Sequence, residues 1–329
     1  MNQSGNGVLV IAEHICKSHV SMADAFTAVE TTFAAMDSGA AVNFPVVRQA
    51  LGHADALYGF KSGFDMRRKT LGVKSGGYWP RNMAEWNIAN HQSTILLFDP
   101  DSGRLQAVVG GNYLTALRTA AASAVSITHL ARADAAVLGI IGAGQQAPFQ
   151  LTAALAHHAF QKVVAWNRSA AALTVLADIC AEKGVPFAAV PLAKLAACAD
   201  VIITITAAHA ALLQAETVRP GTHIAAMGTD TRGKQELDPA LCAAAALFAD
   251  DVTQSVSIGE LQHAAASGAI GPDDITPIGA VINKTASGRP SDDAVTIFDS
   301  TGVGLQDLAM ARVAVQRALQ AGVATHAAM

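Results

Sequence analysis

The feature that most constrains this chain is a glycine-rich turn set between an apolar run and a helical pattern. Val137-Leu138-Gly139-Ile140-Ile141 reads as a buried strand, and residues 148–158 read as a helix. Between them lies Gly142-Ala143-Gly144-Gln145-Gln146-Ala147, of the form Gly-x-Gly-x-x-Ala. The first glycine permits the tight turn, the second lets backbone approach a pyrophosphate, and the final alanine keeps the helix close to the sheet. The helix start then offers unpaired amides and a positive dipole end to phosphate. A lone Gly-x-Gly is weak, but a strand before it and a helix after it are the context that gives it meaning. The turn predicts a Rossmann unit and an oxidoreductase that uses a nicotinamide dinucleotide.

The rhythm around the turn supports that fold class. Strand-like runs at residues 163–166, 187–190, 201–206, 222–227, 247–249 and 295–298 alternate with helical stretches, as right-handed crossovers of a parallel sheet require. The first part of the chain differs. A helix capped by Ser21 is expected over 22–36, then strands at 42–50, 56–62 and 70–76. A hairpin over 93–98 and 106–110 turns at Asp99-Pro100-Asp101-Ser102-Gly103, and a helix follows over 115–130. A last helix over 304–320 is expected to return to this first part. The fold is therefore α/β, with a Rossmann dinucleotide-binding domain (119–304) inserted in an α+β substrate-binding and dimerisation domain (1–118 and 305–329).

The second Rossmann strand ends in Asn167-Arg168, about 20 residues beyond the turn. An NAD site usually has Asp or Glu here for the ribose hydroxyls. Asn167 with Arg168 could instead accept a 2′-phosphate, which leans toward NADP(H); an exposed helix-start arginine is the plainer alternative.

Composition excludes several classes. Hydrophobic residues make up 51% and charged residues 15% of the 329, enough apolar side chains for a sizeable core. The net charge of −4 gives no general attraction for nucleic acid. Cys16, Cys180, Cys198 and Cys242 show neither a zinc nor a disulfide spacing, and His157-His158 has no partner motif, so no metal site is expected. Of two uncharged stretches, 135–161 is interrupted by Gly, Gln and Pro after about seven residues and 201–215 is shorter than the ~20 residues of a membrane span, so a cytoplasmic location is the simplest expectation.

Several further segments carry a family resemblance. They are Leu71-Gly72-Val73-Lys74-Ser75-Gly76, Thr115-Ala116-Leu117-Arg118-Thr119-Ala120-Ala121, Gly228-Thr229-Asp230, and Gly233-Lys234-Gln235-Glu236-Leu237-Asp238-Pro239. With the glycine turn, in this order, they resemble the ornithine cyclodeaminase/μ-crystallin family. That resemblance implies a homodimer built through the substrate domain. It implies that Arg48, Lys74 and Arg118 hold the substrate carboxylate and that Asp230 transfers a proton. It implies a cofactor set of Thr115, Gly142, Ala143, Gly144, Gln145, Gln146, Asn167, Arg168, Thr206, Met227 and Gly228. The chemistry agrees: arginine can bind a carboxylate bidentately, lysine can reach both carboxylate and imine nitrogen, and aspartate can exchange a proton with an amine. Plainer readings stand beside these, with Lys74 as an exposed strand lysine, Arg118 in a helix-end salt bridge and Asp230 as a turn residue.

The departures from the family pattern point to the substrate tail. Where cyclodeaminases place an acidic residue for the ornithine amine, this chain has Tyr58, with Lys61 three residues on. A cationic tail would lose its counter-charge, so an anionic one is expected. Asn43-Phe44-Pro45-Val46-Val47-Arg48, Tyr78-Trp79-Pro80, Asn90-His91-Gln92-Ser93-Thr94 and residues 295–308 resemble the branch of the family that reduces iminosuccinate to L-aspartate during glyoxylate assimilation. This implies a dicarboxylate imine as substrate and NAD(H) as favoured cofactor, with NADP(H) possible on the evidence of Arg168. Lys61 and His91 would meet the second carboxylate, although His91 also fits a core histidine. Arg81 reads best as a solvated loop residue and Asp307 as a helix cap. Other activities of the family, or dinucleotide-dependent binding without turnover, are the alternatives.

Overall fold

The structure, a computed structural model, describes residues 7–328. The chain divides into two compact units, Met1–Arg118 with Val303–Met329, and Thr119–Gly302.

The first unit opens with β1 (Gly7–Ile11), α1 (Glu13–His19), α2 (Met22–Asp37), β2 (Ala41–Asn43) and β3 (Val47–Ala50). It continues through β4 (Leu57–Asp65), β5 (Thr70–Tyr78), α3 (Asn82–Trp86), β6 (His91–Phe98), β7 (Leu105–Gly110) and α4 (Asn112–Leu130), which runs on into the second unit. The second unit holds β8 (Val137–Ile141), α5 (Ala147–His157), β9 (Lys162–Trp166), α6 (Thr174–Glu182), β10 (Phe187–Ala189), α7 (Leu192–Cys198), β11 (Val201–Thr204) and β12 (His209–Leu213). After these come β13 (His223–Ala226), β14 (Gln235–Leu237), α8 (Pro239–Ala244), β15 (Ala246–Ala249), α9 (Val252–Ile258), α10 (Gln262–Ala266), β16 (Ile275–Pro277), α11 (Ile278–Ile282) and β17 (Thr296–Asp299). The chain then returns to the first unit as α12 (Gly304–Gln320) and β18 (Thr325–Ala328).

In the first unit the sheet runs β18-β1-β7-β6-β5-β4-β2, with β3 also pairing β4. Strands β2 to β7 pair antiparallel, as the spacing of turn residues predicts. The strand expected over 42–50 is divided. Pro45 has no N–H to give the ladder, and β2 and β3 pair separately with β4 on either side of it. Ser21 caps α2 as expected, in a reciprocal capping box with Asp24. Helix α4 starts three residues earlier than the sequence pattern suggests, because the Glu13 carboxylate accepts the N–H groups of Asn112 at 3.3 Å and Tyr113 at 2.6 Å. This cap comes from another element and leaves no trace in the local sequence.

The C-terminal helix α12 packs on one face of β4 and β5. Gly63 and Gly72 make that approach possible. A Cβ at Gly63 would lie 2.9 Å from Leu305, and one at Gly72 would lie 2.8 Å from Leu308 Cδ2. The leucines are the apolar side of the helix, and both are buried.

The second unit is a doubly wound sheet of order β10-β9-β8-β11-β13-β17-β15-β16. Every neighbouring pair is parallel. Its strands are apolar on both faces because helices cover both, and Ile141, Val164, Ile202, Ile224 and Ile297 form the centre of its core. A small sheet of β12 and β14, not anticipated from the sequence, pairs segments that are short and far apart along the chain. Among the described residues, no helix is long and apolar enough to cross a membrane.

The close seat of α12 on the sheet generates a prediction. Gly72→Val should destabilise the protein by about 1–3 kcal/mol through overpacking against Leu308 and the Leu96 carbonyl. Urea unfolding measures this, and an unchanged midpoint would contradict the packing described.

Candidate functional site

In the first unit, the sheet register gathers the expected cations. Lys61 and Lys74 stand directly opposite each other in the β4–β5 ladder, so their side chains share a face. Arg48 is opposite Gly59, two residues from Lys61 along β4, and therefore lies on that same face. It is the face on which α12 packs. Lys74 is 5% exposed and forms an ion pair of 2.7 Å with Asp307 Oδ2. It also donates to the Thr115 hydroxyl at 3.4 Å. Arg118, from α4, donates through Nε to Asp307 Oδ1 at 3.1 Å and through Nη1 to Gln306 Oε1 at 3.5 Å. Two buried cations from different elements thus converge on one carboxylate.

Their electrostatics follow from burial and crowding. Burial pushes the Lys74 ammonium down to about 7; Asp307 opposes the fall, while Arg118 and Lys61 add to it. Burial also pushes the Asp307 carboxyl up, but Lys74 and Arg118 outweigh it and hold the group below the usual carboxylate range. Asp307 is therefore ionised, and the cluster carries more positive than negative charge.

Three expectations change here. Asp307 does not cap α12: Val303 precedes the helix, Gln306 Oε1 accepts the Val303 N–H at 3.2 Å, and Asp307 is drawn inward by the two cations. Its position among Leu305 and Leu308, both core residues, was the available signal. Tyr58 falls on the opposite sheet face from Lys61, because neighbouring strand residues alternate, and it pairs with the Ser75 hydroxyl at 2.6 Å. Lys61 alone then carries the argument for an anionic tail. His91 opens β6 opposite Tyr78, on the Lys74 face. Its Cα lies four residues along the strand from the position facing Lys74, about 14 Å away at the usual strand rise. Arg81 is exposed and pairs with Glu85 at 3.3 Å, the solvated role expected of it.

In the second unit, the expected cofactor residues lie at the C-terminal ends of four adjacent strands. The turn at Gly142 follows β8, Asn167 and Arg168 follow β9, Thr206 follows β11, and Met227 and Gly228 follow β13. Strand order reverses between β8 and β11, and the crevice at such a switch point is where open α/β sheets bind ligands. Gly142 has φ 111°, and a Cβ there would lie 2.6 Å from the Ile205 carbonyl oxygen, so both geometry and space demand glycine. Gly144 differs: a Cβ there would meet nothing within 4 Å. That open space beside the start of α5 fits a pyrophosphate. Gln145 is exposed, Ala143 and Gln146 are half-buried, and Gln146 directly precedes the helix. Asn167 donates to the Ser169 carbonyl at 2.9 Å, and Arg168 is exposed.

Asp230 follows β13 and is half-buried. Lys234, four residues on, donates to its Oδ1 at 2.9 Å and to the Gly228 carbonyl at 3.0 Å. Thr231 donates to the same carboxylate oxygen at 3.1 Å. Lys234 is a neighbour of Asp230 that the sequence offered only as part of a motif.

The open space at Gly144 generates a direct test. Gly144→Val should leave the fold intact, since the protein offers no clash, yet weaken dinucleotide binding at least tenfold by filling the pyrophosphate's place. NADH fluorescence titration alongside circular dichroism measures both; unchanged affinity would misplace the site.

Comparison with known proteins agrees with this arrangement. The model of the ornithine cyclodeaminase/mu-crystallin family matches residues 8–322. The chain is 57% identical over 317 residues to an iminosuccinate reductase of Paracoccus denitrificans, covering 96% of this chain and 98% of that protein. It is 34% identical to an alanine dehydrogenase of Archaeoglobus fulgidus, over 96% of each. The crystal structure of the Paracoccus denitrificans iminosuccinate reductase in complex with NAD+ superposes with a TM-score of 0.94, at 56% identity, covering 98% of this chain and all of that one. A solved archaeal alanine dehydrogenase dimer with bound NAD has a TM-score of 0.92 at 33% identity, covering 98% of this chain and 99% of that one. The chain belongs to the ornithine cyclodeaminase/mu-crystallin family.

Proposed function

We propose that this protein is an imine reductase that converts iminosuccinate to L-aspartate with NADH. The observation that carries this reading is its likeness, over nearly the full length of both chains, to an iminosuccinate reductase. The cation cluster of the first unit supports it, because a dicarboxylate needs more positive charge than one carboxylate does. The NAD+ complex of that relative supports NAD(H), and the exposed Arg168 leaves NADP(H) as the lesser choice.

In this reading the first unit is the substrate-binding and dimerisation domain and the second binds the dinucleotide. Bound NADH supplies the hydride that adds to the imine carbon. Arg118, Lys74 and Arg48 hold the α-carboxylate, and Lys61 meets the β-carboxylate, with His91 the weaker candidate for that part. Asp230 carries the proton at nitrogen, and Lys234 holds its carboxylate in place. Protonation at nitrogen makes the carbon electron-poor and lowers the barrier to hydride addition. The second copy of a homodimer would cover the outer face of the first sheet, where Val42, Val47 and Phe60 are 47%, 44% and 41% exposed. Four unbridged cysteines suit a reducing cytoplasm.

NADH oxidation measured with iminosuccinate, iminopyruvate, a cyclic ketimine and ornithine tests the assignment; preference for any but the first overturns it. Within that assay, Lys61→Ala should lower kcat/KM for iminosuccinate by about 10–100-fold more than for iminopyruvate, as the loss of one charge-assisted bond requires. Equal losses would remove Lys61 from the tail.

The Lys74 ammonium gives a pH dependence. Below about 7 it is already protonated and ready for an anion. Above that value binding must also take up a proton, so affinity should fall by about tenfold per pH unit. The inhibition constant of succinate, a non-reacting dicarboxylate, should rise above pH 7 in the wild type and stay flat in Lys74→Arg. A flat profile in the wild type would exclude titration of Lys74 in the site.

A further inference from the structure

The motif Gly233-Lys234-Gln235-Glu236-Leu237 has so far contributed only Lys234. Its Glu236 lies in β14 and is fully buried. The Glu236 carboxylate accepts four hydrogen bonds. Oε2 takes the Thr204 hydroxyl at 2.7 Å and the Gly228 N–H at 3.0 Å; Oε1 takes the Thr206 N–H and the Thr206 hydroxyl, both at 2.7 Å. Thr204 and Thr206 belong to the end of β11, and Gly228 to the segment leaving β13, the next strand in the sheet. One side chain therefore ties together two neighbouring strand ends. A Cβ on Gly228 would lie 2.6 Å from the Glu236 carboxyl carbon, so the glycine of Gly228-Thr229-Asp230 is what lets the carboxylate reach that backbone.

A second buried carboxylate stands behind the first. Glu260 Oε1 accepts the N–H groups of Glu236 at 2.8 Å and Leu237 at 2.7 Å, and Oε2 accepts the Thr229 hydroxyl. Burial pushes both acids up, Glu260 to about 8 with the Glu236 charge adding to the rise. Among the described residues, the bonds to both groups come from hydroxyls and backbone N–H groups rather than from arginine or lysine. Stability alone does not call for this arrangement, since well-packed apolar residues often serve as well as buried charge. What the pair does supply is a fixed backbone at Thr206, Gly228, Glu236 and Leu237.

The ends of β11 and β13 are one half of the dinucleotide crevice. In a doubly wound sheet the adenosine ribose is read at the end of the second strand, here β9, and the pyrophosphate at the first turn, here after β8. The nicotinamide half then lies across the switch point, over β11 and β13.

We propose that Glu236 is a positioning residue for the nicotinamide half of the cofactor, acting through Thr206 and Gly228, with Glu260 fixing the strand that carries it. The inference rests on the reading that this sheet edge holds NADH, and its test separates the two. Dissociation constants for NADH and for ADP-ribose, which lacks the nicotinamide, are measured by fluorescence and calorimetry. Wild type should bind both. Glu236→Gln keeps the volume but turns a donor toward groups that are themselves donors. It should weaken NADH at least tenfold and leave ADP-ribose within about twofold. With NADH deuterated at the transferred position, its primary isotope effect on kcat should rise, because a displaced ring slows hydride transfer. If Glu236→Gln does not fold, Thr204→Val, which removes one donor at nearly constant shape, should show the same discrimination at about threefold. Equal losses for both ligands, or no loss for NADH, would reduce Glu236 to a general brace and overturn the proposal. Failure of the wild type to bind NADH would overturn the cofactor reading and this inference together.

Discussion

The first unit depends on one interaction, the buried carboxylate of Asp307 held between Lys74 and Arg118. Each partner comes from a different element: Lys74 from β5, Arg118 from α4 and Asp307 from α12. Removing one partner of a buried ion pair costs about 3–5 kcal/mol, because an uncompensated charge remains inside. The three therefore specify where α12 sits on the sheet more sharply than its leucines could alone. Gly63 and Gly72 belong to the same solution, since any side chain at either would lift the helix and pull Asp307 from its cations.

That arrangement also explains how buried cations are kept close together. Lys74, Lys61 and Arg48 on one sheet face, with Arg118 reaching the same carboxylate as Lys74 from α4, would repel one another strongly if nothing answered them. Asp307 answers two of them, and the Lys74 ammonium is pushed down first by its burial and then by Arg118 and Lys61.

How much of this could be read from the sequence depended on range. The glycine turn, the Ser21 cap and the alternation of β4 and β5 are local, and local rules found them. Asp307 was misread because an acidic residue in the first turn of a helix ordinarily serves the helix, and its true partner, Arg118, is 189 residues away. Tyr58 was matched to a functional position by alignment alone, and the pleat turns it to the other face. Pro45 was visible, but that both flanking pieces would pair with the same strand was not. The pairing of β12 with β14 is short and non-local, beyond what periodicity can detect.

The two units bury acids in opposite ways, and the contrast follows from what each must hold still. In the first, a carboxylate faces two cations, Lys74 and Arg118, brought from different elements. In the second, the hydrogen bonds to Glu236 and Glu260 come, among the described residues, from hydroxyls and backbone amides. An amide cannot rotate away without moving the chain, so two carboxylates that each collect two of them constrain backbone rather than side chains. Ion pairing would have made the acids less costly to bury, but it would have fixed a lysine or arginine instead of the strand ends. The motif residues Gly228 and Glu236 are thus parts of one device: the glycine removes the side chain that would stand in the way, and the glutamate holds the backbone that the glycine exposes.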